Sequence, residues 1–139
     1  VLDRYGKGRL QPAKADRPYA YYLQLSWFAE ATFAGRVGEI VNHRREFNPE
    51  LEDVVAEMKS RATACVAALD AALADRPYLL GDTMCAADLS ICYTTRGYRR
   101  MVTESLPATY QAYFDRVTAL PSYAAAVKAD ADTAEKLKG

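Results

Sequence analysis

The chain has 139 residues, 50% of them hydrophobic and 26% charged, the mix of a single soluble globular domain and not of a disordered or fibrous chain. Eighteen basic residues balance eighteen acidic ones, so no net field draws the surface to nucleic acid or to an anionic bilayer, and no apolar run approaches the roughly 20 residues that span a membrane. His43 is the only histidine, which excludes a histidine-based metal cluster, and Cys65, Cys85 and Cys92, odd in number and without metal-ligand spacing, read as reduced thiols of a cytoplasmic protein.

Residues 1–15 carry Gly6, Gly8 and Pro12 among alternating charges and read as an extended linker. Asp16 is placed to cap a helix that tolerates Pro18 in its first turn and runs to about Phe47. Tyr22, Leu25, Phe28, Ala29 and Phe33 share one apolar face of it. Ala31, Ala34, Gly35, Gly38 and Asn42 form a second stripe, where small side chains let another backbone or a ligand come close. Glycine costs about 1 kcal/mol relative to alanine inside a helix, so the pair marks either a kink or a packing or functional feature. His43, Arg44 and Arg45 read as a solvated helix end, with binding of an anionic substrate as the minor alternative.

Asn48-Pro49-Glu50 has the composition of a helix start, with Asn48 as cap and Pro49 at the first helical position. The helical period then holds through Leu51, Val55, Ala62, Val66, Leu69 and Leu73, up to a stop at Asp75-Arg76-Pro77. A third helix, Ala86 to about Thr95, is apolar enough to be central, with Gly97 and the exposed pair Arg99-Arg100 marking its end. A fourth runs from Leu106-Pro107 to about Leu120 and shows Tyr110, Tyr113, Phe114 and Val117 to the core. Pro121 separates it from a short fifth helix, Tyr123 to Ala129, and residues 130–139 form a polar tail. Without strand alternation or internal repeat, residues 16–129 read as one all-α bundle of about five helices.

The segment from Arg76 to Ile91, with Leu80-Gly81-Asp82-Thr83-Met84-Cys85-Ala86-Ala87-Asp88 at its centre, resembles the signature of the glutathione transferase C-terminal domain, in which a leucine-glycine-aspartate turn leads through a serine or threonine cap to an aspartate three residues on. Cys85 stands at the cap and Asp88 at the third helical position, as a capping box requires, although a thiol is a weaker acceptor than the family's hydroxyl. A buried catalytic carboxylate at Asp88, or a reactive Cys85 activated by the helix N-terminus, is the sharper and rarer alternative. Tyr5 to Leu10 is similar to the link between the family's two domains, Tyr22 to Thr32 to its first C-domain helix, and Tyr110 to Val117 with Leu120 to Tyr123 to its last helices.

The resemblance is to the soluble bacterial-type transferases and implies a two-domain protein whose preceding thioredoxin-like domain, lacking in this chain, binds glutathione and stabilises its thiolate. It therefore carries no catalytic residue onto this chain, and the chain alone is expected to be inactive. In the family this domain lines the pocket of the electrophilic co-substrate, mainly from the first helix and the end of the central one. That mapping gives Ala34, Val37, Gly38, Val41 and Asn42, with Tyr98 as a possible wall. The resemblance implies a cytoplasmic homodimer that conjugates glutathione to small hydrophobic electrophiles in detoxification, or uses it in related thiol-dependent chemistry, and a non-catalytic transferase-like interaction module is the alternative.

Overall fold

The computed structural model describes residues 1–74 and 76–137 of the chain. Its elements are α1 (Leu2–Tyr5), α2 (Pro18–Trp27), a π-helical segment (Phe28–Ala34), α3 (Gly35–Glu46), α4 (Glu52–Leu73), α5 (Ala86–Met101), α6 (Ala108–Thr118) and α7 (Pro121–Lys136). The fold is all-α, and no strand is formed among the described residues.

The first long helix is continuous from α2 to α3, and the π segment explains how it keeps one face. Leu25, Ala29, Phe33 and Val37 are all buried at intervals of four. At 3.6 residues per turn, a step of four drifts by about 40° around the axis. The wider π turn takes up that drift, so the four side chains stay in line and Ile40 follows them into the core.

α4 packs against α3, and α5 runs through the middle, touching α2, the π segment, α3 and α6. Its buried set of Ala87, Asp88, Ile91, Cys92, Thr94, Thr95 and Tyr98 makes it the centre of the bundle. Gly97 lets α5 approach α3, since a Cβ there would lie 3.3 Å from Val37 Cγ1. α6 closes the core with Tyr110, Tyr113, Phe114 and Val117. Asp70 on α4 accepts the Tyr110 amide at 2.9 Å, capping the first turn of α6 from another helix.

Several boundaries differ from the expectations. The linker contains the single turn α1, and the cap of α2 is Arg17, so Asp16 contributes only its carbonyl, to the Tyr19 amide. Asn48 and Pro49 do not begin α4; they lie in the loop before it, joined by a cis peptide, and the cap is Leu51. The expected stop at Asp75 lies outside the described residues, and Leu73 is the last helical residue of α4. Gly97 does not end α5, which continues to Met101.

Pro121 does not delay α7 either: at the first helical position its missing N–H has no partner to lose. Alanines at 124–126, 129, 131 and 134 and a Lys128–Asp132 ion pair of 3.4 Å carry the helix to Lys136.

His43 is not a solvated helix end. Only 6% exposed, it stacks on Phe47 with ring centroids 4.7 Å apart, and its Nε2 accepts the Leu51 amide at 3.0 Å. The imidazole thus takes the capping role that Asn48 was expected to fill, satisfying a backbone donor where the chain turns from α3 into α4.

Candidate functional site

Two places on α5 are candidates for a functional site. At its N-terminus Asp88 is 0% exposed and accepts three hydrogen bonds. Its Oδ2 takes the Cys85 amide at 2.8 Å, and its Oδ1 takes the Leu79 amide at 3.1 Å and the Tyr113 hydroxyl at 3.0 Å. Cys85 completes a capping box from the other side through its thiol. Gly81, at φ +115°, turns the preceding loop so that Tyr78 and Gly81 exchange two backbone hydrogen bonds of 3.0 Å, which brings the Leu79 amide to the carboxylate. One buried carboxylate therefore ties α5, the loop before it and α6 together.

This geometry is structural. Its donors occupy the carboxylate from inside the protein, and the Tyr113 hydroxyl is held protonated by burial. The helix N-terminus does not activate Cys85: burial, with the Asp88 carboxylate beside it, pushes the thiol up to about 12. Burial likewise raises Cys92 to about 12 and lifts Cys65. Burial therefore disfavours the thiolate form, and with it nucleophilic reactivity, at all three cysteines.

The second place is a cavity of about 500 Å³ between the start of α3 and the C-terminal half of α5. Ala34, Val37, Gly38 and Val41 line one side of it, and Tyr93, Thr94, Arg96, Gly97 and Arg100 line the other, with Asp130 reaching in from α7. A Cβ added at Gly38 would meet nothing within 4 Å, so the missing side chain leaves open space.

Of the six residues mapped to a substrate pocket, four come together here and two do not. Asn42 is exposed and accepts an Arg45 guanidinium N–H at 3.3 Å. Tyr98 points into the core, 2% exposed, with its hydroxyl 3.1 Å from Thr63 Oγ1 and its ring 5.9 Å from that of Phe33. Of the small-residue stripe, only Ala34 and Gly38 face the cavity.

Sequence reasoning missed Tyr93, Thr94, Arg96, Arg100 and Asp130. Tyr93, Arg96, Gly97 and Arg100 fall at steps of three and four, one helical face, and the absence of proline between Ala86 and Pro107 would have allowed that face to be traced. Asp130 had no such signal, because its position depends on how far α7 extends.

The sequence itself matches no family model and no curated protein. Solved structures do match. A glutathione transferase from Actinobacillus pleuropneumoniae aligns with 91% of the chain at 16% identity and a TM-score of 0.74. The Phanerochaete chrysosporium transferases URE2P6 and URE2P8, both crystallised with oxidized glutathione, align with 94% and 99% of it at 14% and 21% identity, with TM-scores of 0.81 and 0.82. The fold is that of the helical domain of glutathione transferases. The chain spans 58%, 62% and 63% of these three transferases, so each of them is longer than the matched helical part. The cavity lies between the first long helix of this fold and the end of its central one. No helix among the described residues is long and apolar enough to cross a membrane, and no group of three or more potential metal ligands is found among them.

Proposed function

We propose that this chain is the helical domain of a glutathione transferase and forms the wall of its electrophile pocket. The observation that carries this reading is the cavity in which Ala34, Val37, Gly38 and Val41 meet the outer face of α5. Aliphatic and glycine surface opposite an aromatic ring suits a small, largely apolar co-substrate. Glutathione then binds mainly to a preceding thioredoxin-like domain, which also stabilises the thiolate, in keeping with the protonated state of the cysteines here. The working protein is a cytoplasmic homodimer with α2, α3 and α4 towards the partner, a reading supported by the exposed apolar side chains of Leu23 and Trp27 on α2 and Val54 on α4.

The test uses Gly38→Leu in the intact protein. A Cβ at Gly38 meets nothing within 4 Å, so a leucine side chain starts into open space at the cavity wall. The KM for a small aromatic electrophile should rise about 10-fold with the KM for glutathione within about 2-fold, as loss of binding surface in one pocket predicts. An unmoved electrophile KM overturns the pocket. The chain alone should conjugate nothing above a buffer-plus-glutathione control, and turnover by it would overturn the assignment of thiolate activation to another domain.

A further inference from the structure

The arginines of this chain are mostly engaged. Arg36, Arg44, Arg45, Arg61 and Arg99 pair with carboxylates, and Arg116 donates to the Pro77 carbonyl at 2.8 Å. Among the described residues the side chains of Arg4, Arg17, Arg96 and Arg100 form no ion pair or hydrogen bond, and of these four only Arg96 and Arg100 line the cavity. They lie four apart on α5, so their side chains leave one helix face as neighbours about 5–6 Å apart at Cβ. Like charges at that spacing repel and weaken a helix, and among the described residues no carboxylate within 4 Å offsets the repulsion. The helix dipole accounts for Arg100, which sits in the last turn of α5, but its influence fades before Arg96.

The rest of the cavity fits the same occupant. Tyr93 is 72% exposed and presents an aromatic face one turn from Arg96. Gly38 and the aliphatic residues of α3 form an apolar floor opposite. Asp130 is the one carboxylate in the lining, which leaves the cavity with a net positive charge of one from two arginines and one aspartate. We infer that the electrophile pocket selects aromatic compounds carrying a carboxylate or sulfonate, with the ring against Tyr93 and the α3 floor and the anionic group between the Arg96 and Arg100 guanidiniums. This rests on the cavity being the electrophile pocket and adds the class of compound it takes.

Two fluorescent probes sharing one aromatic frame test it on the chain itself: anilinonaphthalene sulfonate and the uncharged phenylnaphthylamine. The sulfonate should bind about 10-fold more tightly, the size expected of a charge-assisted contact, and its advantage should shrink with added salt. Arg96→Gln with Arg100→Gln should remove that advantage while leaving the neutral probe's affinity unchanged and the denaturant midpoint unchanged or slightly raised, because both side chains are exposed and their mutual repulsion is relieved. Gly38→Leu should weaken both probes.

Equal binding of the two probes, both weakened by Gly38→Leu, overturns the anionic selectivity and leaves the pocket standing. Failure of either probe to respond to Gly38→Leu overturns the pocket as well. Displacement of the sulfonate, but not of the neutral probe, by S-methylglutathione would assign the arginines to the carboxylates of glutathione and overturn the inference.

Discussion

At its N-terminus α5 is anchored: Asp88 takes donors from the Cys85 and Leu79 amides and from Tyr113, and at 0% exposure its carboxylate is out of a ligand's reach. One and a half turns further on, the outer face of the same helix shows Tyr93, Arg96 and Arg100 to a cavity, and its guanidiniums have no partner among the described residues. A buried carboxylate with its acceptor sites filled from within stabilises a fold. Charges left unpaired beside an apolar floor cost stability and are free to bind. The contrast separates the residue that resembles the family's best-known motif from the residues that would meet a substrate.

The comparison breaks most sharply at Asp88. In Asp88→Ala two amides and a hydroxyl lose their acceptor, and each buried unsatisfied donor costs about 1–3 kcal/mol, so urea unfolding should show a loss of at least about 3 kcal/mol. That exceeds the roughly 0.5–2 kcal/mol of a helix cap alone. A loss confined to the cap range would mean that the Leu79 and Tyr113 contacts contribute nothing.

His43 joins α3 to α4 as Asp88 joins α5 to α6, through a single acceptor. His43→Leu should cost about 1–2 kcal/mol by stranding the Leu51 amide, with His43→Gln milder because it keeps an acceptor. Equal losses in the two variants would show that packing on Phe47, and not the hydrogen bond, holds the corner.

The smallest effect at neutral pH belongs to Cys85→Ser, which should leave stability at pH 7 unchanged or raised by less than about 1 kcal/mol as a hydroxyl strengthens the box. Alkaline pH sharpens the test. Burial raises the folded pKa of Cys85 to about 12, above the ordinary thiol value of about 8.5–9, so its contribution is complete below pH about 9 and is lost as pH rises towards 12. Each such thiol steepens the fall by about 1.4 kcal/mol per pH unit, and Cys85→Ser should flatten it by one thiol. Identical slopes for the variant and the parent would show that Cys85 ionises as freely in the folded protein as in the unfolded one.

The sequence was most legible where a property of consecutive residues decides the outcome. Leu69 and Leu73 face the core because the helical period continues through α4, and Asp88 reaches the Cys85 amide because cap and third position are fixed by one helical turn. Four cavity residues, Ala34 at the end of the π segment and Val37, Gly38 and Val41 on α3, were found through a resemblance that places them on one long helix. The same reasoning failed at Tyr98, whose position near the end of α5 suggested a pocket wall. Rotation of the helix turns it inward, to Thr63 and Phe33.

By itself the sequence determined the all-helical class, the apolar faces of the long helices and the buried turn at Cys85 and Asp88, since these follow from spacing, propensity and capping within a few residues. Only the tertiary structure decided that His43 is buried, that α5 outlasts Gly97, that α7 reaches Asp130 and that Arg96 and Arg100 share a cavity with Gly38. Those outcomes bring together residues up to about ninety apart in the chain, as where Gly38 and Asp130 line one cavity, and a local pattern carries no information about a neighbour that only packing brings near.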